Sequence, residues 1–282
     1  MAIDHLIMNK HIGIIGYGNM GRAIAERIKG DYPVTLFDKD TAKTSGVSGV
    51  TVCLNSEELV AQNDAIIVAV KPQDFDVMLS QIQPAMSADK VIISIAAGIS
   101  TSRIEKKLGV CRVVRVMPNM AAQIGAGITG ITGGRYATQE DIDLAEDIFE
   151  YVGEVVFVDE GMMHAVTAVS GSGPAYVCYF LEKNNMSAGH VPQDKKDYFI
   201  ESFISAAMNE GLDAATASEL VHATYTGTIK YLQETALPAA ELRKRVTSKG
   251  GTTEAALAVL EQGGILSDAV HAAVKRSEEL SK

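Results

Sequence analysis

Residues 10–27 read KHIGIIGYGNMGRAIAER. Ile12, Gly13, Ile14 and Ile15 make the apolar run of a buried strand, and Ile24 and Ile28 fall on one face of the helix that follows. Between them, Gly16-Tyr17-Gly18-Asn19-Met20-Gly21 forms a tight turn. In such a turn the first glycine permits the bend and the second lets backbone approach a pyrophosphate. The third lets the helix pack closely on the strand. The phosphates sit on the unpaired amides of the helix N-terminus, where the dipole is positive. A glycine triplet alone is weak evidence, but this one follows a strand, opens a helix and leads to a second strand, Val34–Phe37, ending at Asp38. That context predicts a dinucleotide site at Gly16, Tyr17, Gly18, Asn19 and Met20.

Outward from this turn, strands and helices alternate. Strands are expected at 65–70, 91–95, 112–117 and 154–158, with helices at 55–63, 74–82, 100–108 and 138–151. The glycine-rich stretch Gly125–Gly134 reads as a bent strand pair. Ala65–Val70 is apolar on both sides of the pleat, as a central parallel strand covered on both faces must be. The expected fold is α/β, a Rossmann-type doubly wound parallel sheet over residues 1–160. Beyond Asp159 strand signals stop and helical periodicity takes over, with helices at 162–169, 174–183, 194–209, 217–234, 239–244, 252–262 and 267–280. Residues 161–282 therefore read as a C-terminal all-helical domain.

The 282 residues are 47% apolar with a formal charge of −10, a balance that argues against nucleic acid or an anionic membrane as partner. Cys53, Cys111 and Cys178 are odd in number and widely spaced, as expected in a reducing cytosol, and neither they nor the six histidines show metal spacing. The first residues carry Asp4, His5 and Lys10 without the apolar core of a secretion signal, and the longest apolar runs are too short to span a bilayer. A cytoplasmic, metal-free protein is expected.

Ligands of a parallel sheet sit at the carboxyl ends of its strands. Asp38, Ala69-Val70-Lys71-Pro72, Ala96-Ala97-Gly98 and Asn119 all lie there. A carboxylate at Asp38 can accept both hydroxyls of an adenosine ribose, favouring NAD, or can simply close a turn; Lys39 beside it favours a 2′-phosphate and NADP. Small residues in the stretches 69–72 and 96–98 let backbone approach the nicotinamide ribose. Lys71 can reach a hydroxyl or phosphate or be a solvated strand cap, and Asn119 can orient a ligand through its amide or simply form a turn. In the helical half, Ala165–Ala175 reads AVTAVSGSGPA, a helix broken at Ser-Gly-Ser-Gly. Leu242–Leu257 reads LRKRVTSKGGTTEAAL, with more hydroxyls and glycines before its helix than capping requires. Hydroxyls and free amides there suit a carboxylate. No nucleophile–base pairing stands out, which fits hydride transfer, where the cofactor makes the bond.

Taken together these stretches resemble the pyrroline-5-carboxylate reductase family over nearly the whole chain. The resemblance rests on GxGxMG at Gly16–Gly21, AVKP at Ala69–Pro72, SIAAGI at Ser94–Ile99 and RVMPN at Arg115–Asn119. Its most specific parts are AVTAVSGSGPAYV at Ala165–Val177 and LRKRVTSKGGTT at Leu242–Thr253. It implies reduction of a cyclic imino acid to L-proline with NADP or NAD as cofactor. Ser248 and the amides around Gly251 and Thr252 would hold the carboxylate, and Thr253 would hydrogen-bond the ring nitrogen. It also implies a homodimer at least, formed by interlocking helical domains that assemble further into a ring of dimers. The chain departs from the family pattern at Lys249, where proline is usual, and at Ala223-Thr224, where Gln-Thr is usual. It also carries a longer polar segment near 183–196. Two other readings start from the same residues: a related imine or hydroxyacid dehydrogenase, and a catalytically silent dinucleotide-binding regulatory protein.

Overall fold

The computed structural model describes residues 10–281; the residues read for a secretion signal, Asp4 and His5, lie outside them. In chain order the strands are β1 (Ile12–Ile15), β2 (Val34–Phe37), β3 (Thr51–Val52), β4 (Ala65–Val68), β5 (Val91–Ser94), β6 (Arg112–Pro118), β7 (Gly127–Gly133) and β8 (Gly153–Phe157). The helices interleaved with them are α1 (Asn19–Ile28), α2 (Thr41–Thr44), α3 (Ser56–Gln62), α4 (Pro72–Ile82), α5 (Thr101–Leu108) and α6 (Gln139–Glu150). The strand order is β3-β2-β1-β4-β5-β6-β7-β8. β3 to β6 pair in parallel, in the register Ile12↔Val34, Ile12↔Ala65, Ala65↔Val91 and Val91↔Arg112. The first six strands thus follow the 3-2-1-4-5-6 order of the doubly wound fold.

Two compact units divide the chain. The described residues up to Val116, together with Ile131–Val152, form the first; Met117–Gly130, with the residues from Gly153 onward, form the second. In the first unit every residue of β1, β4 and β5 is buried, which is why their sequences are apolar without alternation. Ile24 and Ile28 of α1 are buried, as the helical spacing requires, and Phe75, Leu79 and Ile104 fill the core under α4 and α5. Thr138 caps α6 through a reciprocal pair with Asp141, whose side chain accepts from the Thr138 backbone N–H at 2.9 Å.

Beyond β8 the second unit is helical: α7 (Met163–Val166), α8 (Gly173–Lys183), α9 (Gln193–Asn209), α10 (Ala214–Thr235), α11 (Ala239–Val246), α12 (Thr252–Glu261) and α13 (Leu266–Leu280). Its core gathers Val166, Val169, Tyr176, Phe203, Val221, Leu257 and Val270. Phe180 and Phe199 stack at 4.5 Å, and Tyr176 meets Phe203 edge-on at 5.6 Å. Between α7 and α8 the chain widens into a single π turn, Thr167–Gly171. Thr167 and Ser170 donate back to the carbonyls of Met163 and Val166 there, at 2.7 and 2.9 Å.

The chain departs from its sequence reading at β3, which the sequence does not predict, and in the glycine-rich stretch. Gly125–Gly134 is not a strand pair: Met120–Ile124 forms a 3₁₀ turn that Gly125 closes in the left-handed region, and only β7 is extended. No helix among the described residues is long and apolar enough to cross a membrane.

Phe75 is fully buried and Val110 is exposed. Phe75→Ala is expected to cost about 3–5 kcal/mol of stability, and Val110→Ala less than about 0.5 kcal/mol, in chemical denaturation.

Candidate functional site

The register of the first unit brings the predicted residues together. Ile15 pairs with both Phe37 and Val68, and Val68 with Ser94, so four adjacent parallel strands end level with one another. The segments just past those ends are Gly16–Met20, Asp38, Ala69–Pro72 and Ala96–Gly98. The ladder runs on into them: the Gly16 N–H donates to Phe37 O at 2.7 Å and the Ala69 N–H to Ile15 O at 2.8 Å.

The glycine turn behaves as its spacing predicts. Gly16 sits at φ +100°, and a Cβ there would lie 2.6 Å from the Ala69 carbonyl oxygen. A Cβ on Gly21 would run into the Gly16 carbonyl, whereas one on Gly18 would meet nothing within 4 Å. Gly18 has extended backbone that any residue can adopt, so it fills no protein gap. It leaves the start of α1 open, and Gly18 gives that helix no side-chain cap.

Asp38 is 6% exposed and holds this loop in place. Its Oδ2 accepts the Tyr17 N–H at 2.7 Å and its Oδ1 the Asp40 N–H at 2.9 Å, while Lys43 Nζ reaches both oxygens at 3.3 Å. Burial alone would raise its pKa. The two amides and Lys43 outweigh that and hold the carboxyl below the ordinary aspartate range. Lys39 is exposed and bonds both oxygens of Asp74 at 2.9 Å. The Tyr17 phenol donates to Glu26, and burial with that bond pushes its pKa up to about 12. Val70 and Ala69 are half-buried and Lys71 and Pro72 exposed; Ala96 and Gly98 are buried with Ala97 open between them.

In the second unit the loop Thr247–Gly251 leads into α12. The helix begins behind Gly251, which has no side chain to cap it, so its first turn receives no hydrogen bond from the N-cap side chain. A Cβ on Gly251 would overlap Ser248 Oγ, so the bare glycine lets Ser248 lie against the helix start. Glu254 accepts the Gly250 N–H at 2.7 Å, and Arg276 donates to the Gly250 carbonyl at 2.8 Å, pinning the loop. Ser248 and Lys249 are exposed, whereas Thr253 is only 4% exposed. Thr253 donates to Ser172 Oγ at 3.1 Å, and Ser172 Oγ lies 2.9 Å from Thr252 Oγ1. Asn119 is buried at the end of β6, where its Oδ1 accepts the Ile128 N–H at 3.4 Å and its Nδ2 has no protein partner. Of these groups, sequence reasoning gave no individual role to Ser172, although the Ser-Gly-Ser-Gly break containing it stood out. At the departing position, Ala223 is buried and the neighbouring Thr224 hydroxyl has no hydrogen-bond partner. No group of three or more His, Cys, Asp or Glu among the described residues is placed to hold a metal ion.

Residues 197–280 match the family model of pyrroline-5-carboxylate reductase dimerisation, and residues 11–98 match that of coenzyme F420-dependent NADP oxidoreductases. The pyrroline-5-carboxylate reductase of Methanosarcina acetivorans is 35% identical, over 97% of this chain and 99% of its own. The chain belongs to the pyrroline-5-carboxylate reductase family. A solved pyrroline-5-carboxylate reductase from Coxiella burnetii is 32% identical, with a TM-score of 0.65 over 97% of this chain and 99% of its own. Another, from Plasmodium falciparum with NADP bound, is 27% identical with a TM-score of 0.62 over 98% and 99%. The bare cradle at Gly18 and the uncapped start of α1 fit a dinucleotide of the kind that family uses.

Two outcomes test this site. Gly21→Ala is expected to lose about 1–3 kcal/mol of stability by forcing α1 off β1, while Gly18→Ala keeps its melting temperature and loses dinucleotide affinity, read by calorimetric titration. A depressed carboxyl pKa contributes stability above the unfolded value of about 4 and loses it as pH falls through the lower folded value. Asp38→Asn is therefore expected to be less stable than the wild type at pH 7, with the gap narrowing below about pH 4 in melting curves taken across pH.

Proposed function

We propose that this member of the family reduces 1-pyrroline-5-carboxylate to L-proline, with NADPH or NADH as reductant. The observation that supports the reading is the start of α12, where Ser248 lies against the bare, uncapped Gly251 and Thr253 is buried in the first turn. That set suits one carboxylate and one ring nitrogen.

The bound nicotinamide supplies a hydride to the imine carbon when present. The chain's own work is orientation. Residues 1–160, which take in the first unit and the Met117–Gly130 piece of the second, hold the dinucleotide through Gly16–Met20, Asp38, Ala69–Pro72, Ala96–Gly98 and Asn119. Residues 161–282 form the substrate and dimerisation domain, where Ser248 and the amides at Gly251 and Thr252 take the carboxylate, drawn by the positive end of the helix. Thr253 fixes the ring nitrogen. A protonated imine accepts a hydride without help from a strong acid, since the C=N electron pair passes to a nitrogen already carrying a proton. A hydroxyl that does not titrate is then sufficient, and fixing the reacting atoms supplies much of the rate. The dimerisation match over residues 197–280 supports a homodimer at least; assembly into a ring of dimers in the cytoplasm extends that reading.

Absorbance at the reduced-nicotinamide band tests this, with the cyclic imine and NADH or NADPH in parallel. Imine-dependent oxidation is expected. Ser248→Ala should raise the KM for the imine about tenfold, for one lost hydrogen bond to a charged group, while Thr253→Val lowers kcat. Binding of both cofactors without imine-dependent oxidation would contradict the proposal.

A further inference from the structure

Ser172 is fully buried, and its backbone is held on both sides. Its N–H donates to the Thr167 carbonyl at 3.0 Å, and its own carbonyl accepts the Ala175 N–H at 3.0 Å. The π turn at Thr167–Gly171 delivers it to that position, so the unusual Ser-Gly-Ser-Gly break serves to place one hydroxyl. That hydroxyl accepts from Thr253 Oγ1 at 3.1 Å and meets Thr252 Oγ1 at 2.9 Å.

We propose that Ser172 is a positioning residue that sets the direction of hydrogen bonding at Thr253, so that the site selects ligands whose ring atom carries a hydrogen. The inference rests on the reading above, in which Thr253 faces the ring nitrogen. A threonine hydroxyl has one proton and two lone pairs. Thr253 spends its proton on Ser172, whose hydroxyl is shared in turn with Thr252, where either oxygen can donate. What Thr253 then offers a ligand is a lone pair alone. A protonated imine presents N–H and is accepted. A neutral imine nitrogen or a ring ether oxygen presents a second lone pair, and the two acceptors repel.

The neighbouring groups keep the relay neutral. Tyr176 lies one turn along α8 and is fully buried, and burial raises its phenol pKa far more than its interaction with Ser172 lowers it. It stays protonated and gives the relay no charge to trade. The device is therefore a fixed orientation with no proton transfer in it. Without Ser172, Thr253 could turn its proton toward the ligand, and the preference for donor ligands would fade.

Calorimetric titration of the full-length protein, with oxidised cofactor present, would compare L-proline with tetrahydrofuran-2-carboxylate. The second compound has the same ring size and carboxylate but an oxygen in place of the ring nitrogen. The wild type is expected to favour proline by about tenfold or more, the worth of one well-directed hydrogen bond. Ser172→Ala should collapse most of that ratio, and Ser172→Cys, which keeps the volume and a weak acceptor, should give an intermediate one. The Cys variant carries the test if the Ala variant does not fold. Equal weakening of both ligands, with the ratio unchanged, would mean that Ser172 acts only as packing and would overturn the proposal while leaving the function intact. A wild-type protein that binds neither compound would overturn the reading of Thr253 and Ser248 as the substrate site, and this inference with it.

Discussion

The first unit depends on backbone meeting backbone at the end of β1. At Gly16 the chain turns through a left-handed conformation directly against the Ala69 carbonyl, and Gly21 sits over the Gly16 carbonyl with no room for a side chain. Helix α1 can therefore start only where its first-turn amides look past the strand ends. Asp38 completes the constraint from the next strand by holding the Tyr17 amide. Three segments distant in sequence are locked into one edge by contacts that need no large side chain. This is why the loop can be open to a ligand and still rigid.

The second unit solves a different problem with the same economy. An anionic substrate needs positive potential, yet the chain carries a net charge of −10. On the proposed reading the start of α12 supplies that potential locally, and Gly251 leaves it without a side-chain cap. Glu254 and Arg276 occupy the Gly250 backbone on either side, so the loop has little freedom despite holding Lys249 where a proline would stiffen it. Thr253 bonds Ser172, which is fully buried next to the apolar core holding Tyr176 and Phe203.

Most of this was legible in the sequence, for physical reasons that differ by element. β1, β4 and β5 are buried on both faces, so their unbroken apolar runs could mean little else. The glycine turn was readable because each of its spacings answers a steric demand. β3 was not, since two exposed residues at a sheet edge carry no period. Gly125–Gly134 misled because glycine serves a left-handed turn and a strand equally well, and the choice was made by packing around Ala121 and Ala122. The pairing of Ser172 with Thr253 crosses 81 residues and is invisible to any local pattern. Asp38 was read as either a ribose acceptor or a turn residue; its bonds to Tyr17, Asp40 and Lys43 appear only once β2 lies beside β1.

The proposed chemistry passes a hydride from a reduced nicotinamide to the carbon of a cyclic imine held at the start of α12. The most direct measurement is the mass of the product formed from the imine with cofactor deuterated at the transferring position. Proline carrying one deuterium, bonded to the former imine carbon, is the result predicted. Unlabelled proline, or cofactor oxidised with no proline formed, would contradict the account.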